Sequence, residues 1–361
     1  MVSRRLIDLF LELARIDGLP GKEAAVANYA FAFLRNMGLQ PRVDATAAAA
    51  LSNTGNVICP VGGGGSFALL AHLDTASHTS ANVPAVTADR IASDGKGQLG
   101  VERAGLAAIL YSLERAVNTN LPLKPFTLAF TTRSRPSMAG ARHLALPEGV
   151  RCGFVFTSPA EPGVYTASSH GVANFSADVL GRSADGGQPE QGVCAVSIAA
   201  RALAGLRFGR HDADTTSNIG TIAGGSGPGI IPLAALVRGQ VRAAQAEKAG
   251  PVLDGIKAGF EAAAKAGGGA VAFKWSWEFA PYSHPAGSEV RRLAEEAIIG
   301  AALKPAAEPA ATGSEANLLS GRGIPSVNFG VGARNLQSNN EYIQLDHLSK
   351  TFEIVWQLIK K

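Results

Sequence analysis

Ser66-Phe67-Ala68-Leu69-Leu70-Ala71-His72-Leu73-Asp74-Thr75 is the stretch on which the fold turns. Ser66 to Leu70 is a short apolar run that follows the glycines Gly62 to Gly65. Its length and setting predict a buried strand. The strand runs out at His72-Leu73-Asp74. An imidazole at a strand end can ligate a metal, and a carboxylate two residues on can orient it or a neighbour. A lone His-x-Asp is more often structural, so its surroundings decide.

Upstream, residues 3–17 place Leu6, Ile7, Leu9, Phe10, Leu13 and Ala14 in the stripe of an amphipathic helix, ended by Gly18-Leu19-Pro20-Gly21. Lys22 to Met37 repeats the pattern, with Gly38 as its C-cap. Gln40 to Asp44 alternates, and Asn56 to Cys59 reads as a strand. Downstream come a helix (Val101 to Ala116), a second buried strand (Phe126 to Thr131), a helical segment (Ala139 to Leu144) and a short strand (Gly153 to Phe156). This alternation predicts an α/β fold with a mostly parallel sheet and helices on both faces. The middle differs. Strands at Asn174 to Gly181, Asn218 to Ala223 and Ala235 to Ala243, with helices at Gly192 to Leu206 and Gln245 to Lys265, predict an α+β unit on one antiparallel sheet. From Ser288 the first pattern resumes: helix 288–303, strand Ser326 to Gly330, helix Leu348 to Lys360. The expected organisation is one discontinuous domain, 1–171 and 285–361, interrupted by an inserted domain, 172–284.

Composition narrows the function classes. Of 361 residues 46% are apolar, enough for a sizeable core. The net charge is +4, and no run of five basic residues occurs, which argues against nucleic acid or an anionic membrane as partner. Trp275, Trp277 and Trp356 are too scattered for a base-stacking platform. No apolar stretch reaches the roughly 18 residues of a membrane span. The opening Met1-Val2-Ser3-Arg4-Arg5 is not followed by an apolar run of the secretory kind. Cys59, Cys152 and Cys194 lie far apart without CxxC spacing. Neither a disulfide framework nor a cysteine zinc site is expected, and the reading is cytoplasmic.

Segments spread over nearly the whole chain carry a family resemblance. They are residues 11–23, ending Gly18-Leu19-Pro20-Gly21-Lys22-Glu23; Ala71-His72-Leu73-Asp74-Thr75; Gly209-Arg210-His211-Asp212 leading to Thr216-Ser217-Asn218-Ile219-Gly220; Gly313-Ser314-Glu315-Ala316-Asn317; Gly323-Ile324-Pro325 with Asn328; and Asn340-Glu341-Tyr342-Ile343. In their order and spacing the chain resembles the peptidase-T-like branch of the di-zinc aminopeptidase, aminoacylase and carboxypeptidase-G superfamily, metallopeptidase family twenty. The resemblance implies a zinc-peptidase-like domain from the two ends of the chain and an inserted lid, 172–284, that makes a homodimer. It also implies two zinc ions clamping water and the scissile carbonyl, and a glutamate as general base.

The same resemblance marks departures. His72 and Asp74 match the family. The shared aspartate falls at Glu102 or Val101, depending on where a one-residue gap is placed in Leu99-Gly100-Val101-Glu102-Arg103-Ala104-Gly105. The general-base position is Ser134, and the ligand beside it is Arg135. The next acid is Thr157, and the last histidine is Gln337. In the lid, the family's histidine is Asp185, while Arg242 matches an arginine for the substrate carboxylate. Arg242, Ser314 and Asn317 are the expected ligand-binding residues.

Ser, Arg, Thr and Gln are poor zinc ligands, and arginine cannot deprotonate to become one. A fixed charge at Arg135 would repel a metal by roughly 4 kcal/mol per unit charge at about 4 Å and an effective dielectric of about 20. The reading is therefore a vestigial metal site at His72 and Glu102 with no cofactor expected. Arg135, alone or with Arg133, is expected to take the metal's place against Asp74 or Glu102. A single-metal site at His72, Asp74 and His78 is the weaker possibility. The expected function is a non-catalytic peptidase homologue, a pseudoenzyme, that binds a peptide or an amino-acid-like ligand. The alternative is an active metallopeptidase or hydrolase with a reduced or relocated metal site.

Overall fold

The computed structural model describes residues 2–361, which divide into two compact units. Among the described residues the first comprises 2–168, 283–310 and 314–361, and the second 169–282 and 311–313.

The first unit is built on a mixed sheet. Its strands lie in the order Arg42–Val43, Val57–Val61, Phe126–Thr131, Phe67–His72, Cys152–Ser158, Ser326–Gly330 and Val164–Ser169, with Ala306–Ala310 beside the last. Parallel pairing is confined to the centre, where Phe67–His72 lies between Phe126–Thr131 and Cys152–Ser158, and the latter pairs with Ser326–Gly330. Antiparallel pairs flank this core on both sides. Phe67–His72 and Phe126–Thr131 are buried at every position, as expected of strands covered on both faces. The strand Val57–Val61 continues through Pro60, beyond the expected end at Cys59. Pro60 pairs with Thr127 on one side only, because the partner on the other side, Arg42–Val43, reaches only Val57 and Ile58. A residue without an N–H is tolerated at such an edge.

Helices cover the sheet. Arg4–Ala14 buries Leu6, Leu9, Phe10 and Leu13 and packs against Ala104–Asn118. The expected helix from Val101 begins as a 3-10 turn, Val101–Arg103, and becomes α-helical at Ala104. Gly100 enters that turn at φ 76°, a left-handed conformation that glycine adopts without strain. At Gly105 an added Cβ would stand 2.0 Å from the Phe156 carbonyl oxygen, so only glycine lets the helix sit this close to the sheet.

The second unit is one antiparallel sheet in the order Gly209–Arg210, Thr215–Gly224, Ala234–Ala243, Gly171–Leu180 and Ala270–Phe279. Helices Ala195–Gly205 and Ala246–Gly267 pack on it over a core that includes Phe175, Val179, Val237, Ile198, Leu253 and Phe260. The strands Ala270–Phe279 and Val164–Ser169 were not expected from the sequence. No helix of the described residues is long and apolar enough to cross a membrane.

Candidate functional site

The parallel register sets His72 opposite Thr131 at the carboxyl ends of adjacent strands. That edge of a parallel sheet is where α/β folds place ligands. The chain after Thr131 is tied down by buried side chains from three distant segments. Asp74, fully buried, accepts the Ser134 N–H at 2.9 Å and the Arg135 N–H at 3.1 Å. Glu23, also fully buried, accepts the Arg133 N–H at 2.9 Å, the Thr132 hydroxyl at 2.8 Å and the Ser52 hydroxyl at 2.6 Å. The Asn56 side chain accepts the Thr132 N–H at 3.0 Å and donates to the Gly140 carbonyl at 3.0 Å. These bonds satisfy a loop whose Arg133 (φ 46°) and Met138 (φ 51°) sit in the left-handed region that side chains disfavour.

The imidazole of His72 is 4% exposed, and its Nδ1 lies 2.9 Å from the Asp74 carbonyl oxygen. Each oxygen of Asp74 is engaged by a backbone donor, and the His72 Nδ1 lies 3.4 Å from Oδ1, so no guanidinium is paired with it. The charged partner of Arg135 is Glu102 instead. Arg135 Nη2 stands 3.1 Å from Glu102 Oε1, and the Glu102 side chain is 1% exposed. Val101, the other candidate for this position, is an apolar side chain in the core. Neither oxygen of Glu102 accepts a hydrogen bond from a described residue, and Arg135 Nη1 is likewise buried without an acceptor. Arg133 does not join the pair: its guanidinium donates to the carbonyls of Ala50, at 2.7 Å, and Leu51.

Two further charges bear on Glu102. Arg103 is fully buried, and burial pushes its pKa down to about 10 against the pull of Glu102 and Asp74. Its guanidinium donates to the carbonyls of Leu73, Leu13 and Ile16 and so clamps the first helix to the end of the His72 strand. Glu341 accepts the N–H groups of Leu99, Gly100 and Gln337, each at 2.8 Å. Burial first, and then the charge of Glu102, raise its pKa from the ordinary glutamate value.

The remaining expected residues have local partners. Ser134 donates its hydroxyl to Glu315 Oε1 at 2.8 Å, so a hydroxyl stands where the family resemblance expects a proton-accepting carboxylate. Thr157 donates both its N–H and its hydroxyl to Asn328 Oδ1, at 3.0 and 3.3 Å. Gln337 takes a left-handed φ of 62° and is held through its N–H on Glu341. Ser314 and Asn317 form the capping box of the helix Glu315–Ser320: the Ser314 hydroxyl accepts the Ala316 N–H, and Asn317 Oδ1 accepts the Ser314 N–H at 3.0 Å. Arg242, in the second unit, donates from Nε to Gln240 Oε1 at 2.8 Å. His78 is directed to Asp17 at 2.9 Å and is two-thirds exposed, so it forms no site with His72. Sequence reading did not single out Glu23, Glu315 or Glu341 as anchors, although each lies within a segment that carries the resemblance.

A pair of metal ions does not fit the side chains as they stand. Among the described residues no three His, Cys, Asp or Glu side chains converge to hold a metal ion. The buried carboxylate that would serve, Glu102, is paired with a guanidinium.

Residues 168–268 match the model of the peptidase dimerisation domain of the M20 family. Over the whole length the fold is similar to that of the aminopeptidase PepT of Bacillus cereus (28% identity, TM-score 0.87, covering 99% of this chain and 98% of that one). It is equally similar to a tripeptidase of Staphylococcus aureus (26% identity, TM-score 0.87, covering 100% and 98%). The Bacillus subtilis protein YqjE is 27% identical over 99% of this chain and 98% of its own length. The Bacillus subtilis protein YxeP, described as a dinuclear metal binding peptidase from the M20 family, shares the fold at 18% identity and a TM-score of 0.71, covering 98% and 96%. The expectation that the chain takes no cofactor is overturned: a protein of the same fold is described as a dinuclear metal binding peptidase, and nothing shows metal binding to be lost in this chain. In whole-length fold and in its dimerisation segment the chain is thus similar to peptidase-T-like peptidases of the M20 family.

Proposed function

We propose that this protein recognises a peptide or amino-acid-like ligand on a peptidase-T-like scaffold, and that two-metal peptide hydrolysis is not its activity. The observation that carries this reading is the Arg135–Glu102 ion pair, 3.1 Å long and set on a carboxylate that is 1% exposed. Ser134, at the position of the family's general base, supports it, since a hydroxyl is not a base at neutral pH. Arg242 is the proposed contact for a ligand carboxylate, as arginine suits planar oxyanions. The dimerisation segment supports a homodimer through 172–284, and three free cysteines support a reducing, cytoplasmic setting.

A second reading, an active hydrolase with a reduced metal site, is favoured by His72. Its Nδ1 is engaged by a backbone carbonyl, the arrangement that orients the other ring nitrogen of a metal-ligating histidine. Calorimetry with a tripeptide panel, beside product release assayed with added zinc, manganese or cobalt, separates the two. Peptide binding without turnover supports the first reading. Metal-dependent turnover overturns it and establishes the second.

A further inference from the structure

We infer that the open face of the second unit's sheet holds a small dicarboxylate between Arg238 and Lys274. Three neighbouring strands are in register there: Lys274 pairs with Ser176, and Ser176 with Arg238. Alternation along each strand puts these side chains on one face. Their neighbours Phe175 and Val237 point the other way, into the core beneath the helices. A short side chain between two long ones makes a hollow. Asn174, Ser176, Arg238, Lys274 and Ser276 line it, and its volume of about 540 Å³ is that of a small-molecule site. A β-bulge lies beside it, where the register of the next strand shifts between Ile219 and Thr221, opposite Gly239 and Arg238. Such bulges re-aim side chains at binding sites.

The charges call for an anion. Arg238 and Lys274 are exposed, and neither side chain makes a hydrogen bond or ion pair with a described residue. Two like charges flanking one serine do nothing for the sheet itself. The acids nearest in register are Asp178, two residues along the central strand, and Glu278, whose Oε2 accepts the Asn174 amide at 2.9 Å. Neither is paired with the two cations. Two strand spacings, roughly 9–10 Å, separate the cations at Cα, which suits two anionic groups rather than one. Phosphate sites draw on free backbone N–H groups at helix ends and glycine turns. Here the central strand is paired on both sides, so the donors are side chains, which suit carboxylates. Arg242 does not line the hollow, so this site is distinct from the carboxylate contact proposed above.

Calorimetry on the full-length protein tests this at low ionic strength, where such contacts are least screened. The probes are glutarate, valerate and glucose 6-phosphate. Glutarate is expected to bind at least tenfold more tightly than valerate, which has the same carbon chain and one carboxylate. R238Q and K274Q are each expected to weaken glutarate binding at least tenfold, and K274R to retain it. K265Q removes a cation from the helix Ala246–Gly267, on the sheet's other face, and is expected to change nothing. All four side chains are replaced at exposed positions, and unchanged urea midpoints confirm that the variants fold. Absence of glutarate binding, a loss in K265Q equal to that in R238Q, or tighter binding of glucose 6-phosphate than of glutarate each overturn the inference.

Discussion

Asp74 Oδ1 accepts the backbone N–H of Ser134 at 2.9 Å, which fastens the loop after one strand to the segment that leaves its neighbour. The second oxygen takes the N–H of Arg135, so one buried carboxylate satisfies two consecutive amides.

Replacing that carboxylate should be costly. Asp74→Ala is expected to destabilise the fold by about 2–4 kcal/mol, because two donors lose their acceptor. Asp74→Asn, which keeps one carbonyl oxygen, should lose roughly half as much. Urea denaturation measures both, and an Asp74→Ala variant as stable as the parent would show that the loop does not depend on this anchor.

At the helix Glu315–Ser320 the serine hydroxyl caps the first turn. Ser314→Ala should cost about 1 kcal/mol, while Ser314→Asp, which also caps, should cost little. If Ser314 also contacts the ligand, Ser314→Asp weakens peptide binding despite normal stability. Binding that follows stability alone in both variants limits Ser314 to the cap.

Glu341 links the site to pH. Burial and the charge of Glu102 raise its pKa, against the three N–H bonds that lower it. An acid whose native pKa is raised keeps its proton longer in the folded chain than in the unfolded one. Its contribution to stability is therefore greatest below the ordinary carboxylate pKa and declines as pH climbs to the raised native value. In Glu102→Gln the like charge is gone, and the Glu341 midpoint, read by carboxyl carbon NMR, should move down. A midpoint that stays in place rules out the coupling.

The three thiols should differ in reactivity. Burial pushes Cys59 up to about 11 and Cys152 up to about 12. Cys194 caps the helix Ala195–Gly205, and although burial opposes it, the hydrogen bonds from Ser197 and Val196 hold its thiol below the ordinary value. A thiol reagent at neutral pH should label Cys194 quickly and the other two only after unfolding. Cys194→Ser should abolish the fast phase, and a fast phase that survives would contradict this assignment.

Legibility followed burial pattern. The strands Phe126–Thr131 and Ser326–Gly330 begin and end where the sequence predicts, because a strand covered on both faces reads as an unbroken apolar run. Ala270–Phe279 escaped notice: it is an edge strand of the second unit's sheet, its residues are all at least partly exposed, and Lys274, Ser276 and Glu278 break up its apolar positions. His72 and Asp74 were legible because they sit together at a strand end. Glu23, Glu315 and Glu341 were not, because each acts on backbone or hydroxyl groups far away in the chain.

Residue type alone established that positions 134, 135, 157 and 337 carry side chains ill suited to bind zinc or accept a proton, since that depends on each group's own chemistry. Periodicity likewise established the alternating α/β pattern and the inserted unit. Which carboxylate Arg135 would take could not be read from the chain. Folding gave each oxygen of Asp74 a backbone donor and left Glu102 buried without one, and a buried ion pair forms where desolvation leaves a charge unanswered.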